Sequence, residues 1–173
     1  KYTKYKKIDF LATPFDIKNV EFLRSIKQSY IKISSGDINN YPLLEKIGQN
    51  KKQVFLSTGM STLQDIISAI KVLVTNGTKK NKISIFHCTS AYPTPVREVN
   101  LNVLKTFSKK FGKNIGYSDH TTSTNIPSYA VILGAKIIEK HITLNNKDAG
   151  PDHASSLEPK KFRQMVINIR EAE

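Results

Sequence analysis

Two stretches of the chain end on a histidine with polar companions: "NIGYSDHTTS" at 114–123 and "KIIEKHIT" at 136–143. Each is apolar before it turns polar, the pattern of a strand leaving the core at its C-terminal end. Residues two apart on a strand share a face, so Ser118 and His120 point together, as do Glu139 and His141, while Asp119 turns away. On neighbouring strands about 4.8 Å apart, both imidazoles reach one metal ion. Two histidines leave coordination positions open, which suits a Lewis-acid catalytic ion more than a structural zinc. The alternative is two hydrogen-bonded packing histidines.

Other apolar runs close on small hydroxyls: Thr13, Ser34, Ser35, Ser57, Thr58, Thr89 and Ser90. With Gly36 and Gly59 allowing close backbone approach, these are donors suited to phosphate or carboxylate. Lys32 lies inside a strand pattern between Ile31 and Ile33, where a cation is costly unless paired. An anionic ligand answers that cost; snorkelling to the rim is the alternative. Strict alternation puts Lys32 and Ser35 on opposite faces, so the "SSG" segment must break the pleat for both to serve one ligand. Tyr92 in "TSAYPTP" and Asp152 in "NKDAGPDHASS" lie in loops by their Pro and Gly content. Both are able to reach a sugar's hydroxyls, against the plainer reading of ordinary loop residues. These residues describe a metal-assisted enzyme acting on a small anion and a polyol, and they go no further.

The elements that must hold these residues alternate. Strands are expected at 7–16, 30–37, 53–60, 83–90, 114–121 and 136–143, apolar on both faces as parallel, doubly covered strands are. Helices lie between them. Asp16 is the expected N-cap for the face made by Ile17, Val20, Leu23 and Ile26. Pro42 opens a helix that Gly48 is expected to stop. "STLQ" at 61–64 offers a capping box of Ser61 and Gln64 before the stripe of Ile66, Ile67, Ile70 and Leu73, which Asn76-Gly77 ends. Leu101, Leu104, Phe107 and Phe111 form another stripe before Gly112. Further helices are expected at 124–134 and after Glu158-Pro159. No glycine-rich nucleotide fingerprint follows any strand. Polar residues at every strand end point to an α/β fold of the (β/α)8 TIM-barrel type, with an active site spread around one rim. Six of eight units are visible, and a full barrel takes about 250 residues, so the chain reads as part of a longer protein.

Composition narrows the classes. The chain has 39% hydrophobic and 24% charged residues, and no apolar run approaches the roughly 20 residues of a membrane span. The lone cysteine, Cys88, excludes an internal disulfide framework, fits a reducing cytoplasm and reads as a buried strand residue. The formal charge of +13 invites nucleic acid as a partner. Its lysines, however, cluster at helix–strand junctions (Lys51-Lys52, Lys79-Lys80-Lys82, Lys109-Lys110-Lys113) without interleaved aromatics, as a solvated rim does. Neither nucleic acid nor membrane is the expected partner.

Taken together and in order, "ATPFD", "IKISSGD", "LSTGM", "HCTSAYPTP.EVNL", "GYSDHT", "EKHIT" and "GPDHASSLEP" resemble the sialic acid synthase family over nearly the whole chain. The resemblance implies a transferase that condenses phosphoenolpyruvate with N-acetylmannosamine or a related amino sugar, releasing phosphate. The expected products are N-acetylneuraminate and related nine-carbon acids. It implies a divalent metal, most often Mn2+, with Mg2+ or Co2+ as substitutes, held by His120 and His141. By motif, Thr13, Lys32, Ser35, Ser57 and Ser118 match positions that hold phosphoenolpyruvate. Ser90 stands where some members have Asn. Tyr92 and Asp152 match sugar-contacting positions, and Asp37 occupies a site that is Glu in many members. With Lys32, Asp37 is carried over as a catalytic residue.

The family pattern also implies parts this chain does not carry. Residues 1–173 would be strands 3 to 8 of the barrel, preceded by two strands bearing a glutamate and a second lysine. A C-terminal antifreeze-like domain would follow, supplying an arginine across a homodimer. Little or no turnover is therefore expected of the chain alone. Legionaminate or pseudaminate synthesis is the alternative within the family; a non-catalytic basic binding module is the alternative outside it.

Overall fold

The computed structural model describes residues 2–173. Two compact units divide the chain, one ending at Ser84 and the other spanning Ile85–Glu173.

The first unit opens with a short helix, α1 (Tyr2–Tyr5), and an extended run leading to α2 (Ile17–Ser25). Then come β1 (Tyr30–Ile33), α3 (Tyr41–Gln49), β2 (Gln53–Ser57) and α4 (Leu63–Thr75). The two strands pair in parallel, Ile31 opposite Val54 and Ile33 opposite Leu56, and all four of these side chains are buried. The expected strand over 7–16 is not formed. It shrinks to one bridge between Ala12 and Ile31, closed by the Lys32 N–H donating to the Ala12 carbonyl at 3.1 Å. Apolar residues alone do not make a strand; its backbone groups need a ladder partner along their length. Here Lys7 turns the chain with φ 55°, and Ile8, Phe10 and Leu11 stay exposed.

Asp16 caps α2 as expected, accepting from the Asn19 N–H at 2.7 Å. The face of α2 is narrower than its spacing implied, for only Val20 and Leu23 are buried. The capping box on α4 is one residue later than expected. Thr62 and Asp65 form it, the Thr62 N–H donating to the Asp65 carboxylate at 2.8 Å. A carboxylate accepts more strongly than the amide of Gln64, which decides the phase. Gly48 does not stop α3 but lies within it. A Cβ there would sit 2.9 Å from the Leu73 carbonyl oxygen and 2.7 Å from the Asn76 Cβ, so this glycine lets α3 and α4 approach closely.

In the second unit, β3 (Ile83–His87, starting just before the division), β4 (Ile115–Asp119) and β5 (Ile137–Lys140) are the strands. Among the described residues there are thus five strands, not six. Here β3 pairs β4 in parallel, with Ile85 opposite Ile115, and β4 pairs β5, with Ser118 opposite Glu139. Gly116 makes room for a neighbour: a Cβ there would lie 2.7 Å from the Phe86 ring. Between strands run α5 (Asn102–Phe111), α6 (Ile126–Ile132) and finally α7 (Pro159–Ala172). Leu157, Met165 and Ile169 form a buried cluster against Val131, Ile138 and Phe162. Fully burying one such side chain contributes about 1.5–3 kcal/mol, which is what seats α7. Cys88 is buried just beyond β3, and Lys109, Lys110 and Lys113 face solvent. Among the described residues no helix is long and apolar enough to cross a membrane.

Candidate active site

Lys32, Ser57, Ser118 and Glu139 lie within their strands, whereas Ser35, Ser90, His120 and His141 follow theirs by one to three residues, on the first turns of the loops. In the first unit Lys32 lies in β1 and is 8% exposed. Its ammonium donates to the Ser57 hydroxyl, at the end of β2, at 2.7 Å. This is burial, not snorkelling. The pleat breaks at the "SSG" segment, as it would have to if Lys32 and Ser35 were to serve one ligand: β1 stops at Ile33 and Ser35–Asp37 form a 3-10 turn. That turn lets the Ser35 hydroxyl accept from the Gly59 N–H at 2.9 Å. Asp37 is held by its own loop, accepting from the Ser34 hydroxyl at 2.7 Å and the Asn40 amide at 3.2 Å. Thr13 is half-buried directly after the Ala12 bridge.

In the second unit the two histidines come together. The imidazoles of His120, which follows β4, and His141, which follows β5, have centroids 5.5 Å apart. Tyr92 stacks on His120 at 4.1 Å and meets His141 edge-on at 5.8 Å. His120 Nδ1 lies 2.7 Å from the Thr89 carbonyl oxygen. A carbonyl only accepts, so Nδ1 carries the proton and Nε2 presents its lone pair. Burial pushes the His120 pKa below the ordinary histidine value; the bond to Thr89 opposes this and the neighbouring His141 adds to it. The ring is therefore neutral at pH 7, the form that ligates metal.

The hydroxyl of Ser118 donates to the Glu139 carboxylate at 2.7 Å and stands 3.4 Å from His120 Nε2. Its proton is thus committed to Glu139, and oxygen and nitrogen lone pairs face one another across that gap. This donor set fits a cation, although no group of three or more His, Cys, Asp or Glu side chains gathers among the described residues. On the loop before α7, the exposed Asp152 places a carboxylate oxygen 3.8 Å from His141 Nδ1. Ser90 is half-buried beside Thr89.

Sequence reasoning did not find the roles of four residues. Glu139 was placed on the face of His141 by alternation, but its bond to Ser118 needed the register of β4 against β5. The Thr89 carbonyl is a backbone group and leaves no trace in residue type. Asp119 and Lys140 form a buried ion pair at 2.8 Å on the opposite face, also a matter of register.

The chain matches the model of the NeuB family over residues 1–173. It is 44% identical to the N,N'-diacetyllegionaminic acid synthase of Campylobacter jejuni over 98% of this chain and 51% of that one. To the human N-acetylneuraminate-9-phosphate synthase it is 37% identical, over 98% of this chain and 47% of that one. The crystal structure of the Bacillus subtilis spore coat polysaccharide biosynthesis protein SpsE superposes with a TM-score of 0.93 at 35% identity, covering 99% of this chain and 48% of that one. The chain spans about half the length of the curated relatives it matches. The fold class is α/β, an incomplete barrel of the (β/α)8 type.

Proposed function

This chain belongs to the NeuB family, and we propose that it carries the bond-forming residues of an N-acetylneuraminate-type synthase. Such an enzyme condenses phosphoenolpyruvate with N-acetylmannosamine or a related N-acetylated amino sugar and releases phosphate. One observation carries the reading: paired imidazoles at adjacent strand ends, His120 with its lone pair turned toward Ser118, under the ring of Tyr92.

His120 and His141 would hold a divalent ion, Mn2+ before Mg2+ or Co2+. Bound there, it would supply Lewis-acid polarisation of the sugar's aldehyde oxygen. The ammonium of Lys32 would meet phosphoenolpyruvate's anionic groups by charge-assisted hydrogen bonds, with the hydroxyls of Ser35, Ser57 and Thr13 as further donors. Ser118 would join them only by turning its proton away from Glu139. Tyr92, Asp152, Ser90 and Asp37 would contact the sugar. The methylene carbon of phosphoenolpyruvate attacks the aldehyde carbon, water adds to the cation-like centre that results, and phosphate departs by C–O cleavage. Fixing that anion in an attacking geometry is the contribution of Lys32 and the hydroxyls.

The 44% identity to an N,N'-diacetyllegionaminic acid synthase favours a second reading within the same chemistry, legionaminate synthesis from a doubly N-acetylated sugar. Calorimetric titration of phosphoenolpyruvate into the chain, with and without Mn2+, tests the common core. Binding is expected, lost in Lys32→Met and no longer enhanced by Mn2+ in His120→Ala. A wild-type chain that binds neither would overturn it. Phosphate release with a panel of N-acetylated hexosamines, by a protein of the relatives' full length, separates the two sugars; the chain alone is expected to turn over little or not at all.

A further inference from the structure

The chemistry above leaves unused a buried ion pair that sits one residue before each histidine. Asp119 and Lys140 face one another in the register of β4 and β5. Lys140 Nζ lies 2.8 Å from Asp119 Oδ2, and the two side chains are 1% and 0% exposed. Asp119 also accepts from the Tyr117 phenol at 3.0 Å, the Thr121 N–H at 3.0 Å and the Thr121 hydroxyl at 3.1 Å. Lys140 donates in addition to the Thr121 carbonyl. The pair therefore links the two strands and also grips the residue that follows His120.

We infer that Asp119 and Lys140 are positioning residues that set the ring-to-ring arrangement of His120 and His141. The role of the rings as metal ligands rests on the function proposed above; how they are held does not. A buried ion pair is a weak source of net stability, because desolvation offsets much of its attraction. What it adds over an apolar pair is direction. A one-residue slip of β5 against β4 would send Lys140 to the other face and carry His141 away from His120, and the ion pair penalises that slip with an unpaired buried charge. By bracketing His120 between Asp119 and Thr121, the same bonds fix the backbone from which the ring projects. The Thr89 carbonyl and Tyr92 then fix the ring's rotation.

The test reads ring geometry directly in the metal-free chain. Four histidines are present, few enough to assign each ring by NMR, and proton contacts between the His120 and His141 rings are expected in the wild type. Asp119→Asn/Lys140→Met keeps acceptors for Tyr117 and Thr121, buries no lone charge and removes the cross-strand link. It is expected to fold, to lose most of the ring–ring contact, and to bind Mn2+ at least about tenfold more weakly, the scale on which ligand-orienting groups act. A merely structural pair would lower the melting temperature and leave the ring contact in place. An undiminished contact in the folded variant, or no contact in the wild type, overturns the inference. If the double variant does not fold, Asp119→Asn alone is judged by the same contact, weakened or unchanged. A wild-type chain that ignores Mn2+ would sink the metal reading, yet the ring contact would still decide the positioning role.

Discussion

Lys32 and Lys140 are both strand lysines withdrawn from water, one in each unit, and they are engaged in different ways. Lys140 meets the carboxylate of Asp119. Burial pushes its pKa below the ordinary lysine value, and the attraction and hydrogen bond of Asp119 pull it back. Lys32 donates to the Ser57 hydroxyl at 2.7 Å, across β1 and β2. The first arrangement joins two strands through opposite charges; the second sets an ammonium beside a serine hydroxyl. Strand position and burial alone do not say what a lysine is engaged with; its partners do.

The largest effect expected follows from breaking the carboxylate-paired lysine. Lys140→Met strands a buried Asp119 charge and should cost about 3–5 kcal/mol, the range for removing one partner of a buried pair, measured by urea denaturation. Lys32→Met removes the bond to Ser57, worth about 1.5–3 kcal/mol for a hydrogen bond to a charged group, and should weaken phosphoenolpyruvate binding roughly thirtyfold or more. Equal stability losses with phosphoenolpyruvate affinity unchanged would erase the contrast between the two lysines.

A smaller effect comes from a third way of burying a base, leaving it uncharged. His87 in β3 donates Nε2–H to the Val99 carbonyl at 2.8 Å. Burial pushes its pKa down, and the bond to Val99 only partly restores it. The unfolded chain then takes up the proton first as pH falls below the ordinary histidine value of about 6.5. The stability His87 provides is full above that pH and is lost as pH falls toward the folded pKa. His87→Gln, which keeps an N–H for Val99, should flatten this part of the stability profile between pH 7 and pH 5. An unaltered acid slope in the variant would mean that His87 titrates alike folded and unfolded.

Much of the candidate site's placement was legible because strand ends announce themselves locally. The polar closures of "IKISSGD", "GYSDHT" and "EKHIT" marked Lys32, Ser35, Ser118, His120 and His141, and alternation removed Asp119 from the ligand list. The break in the pleat at Ser35 followed from the same rule. The first strand misled because its apolar run says nothing about how much ladder it will find. Gly48 misled because a glycine that ends a helix and one that admits a neighbouring helix look alike in sequence.

The sequence by itself determined which residues stand at the strand ends and which face each one takes, since a period of two is a property of the chain alone. Only the tertiary structure decided which of them meet. Ser118 with Glu139, Asp119 with Lys140, His120 with His141 and with the Thr89 carbonyl all depend on register between separate segments, fixed by packing and hydrogen bonds that no local pattern encodes.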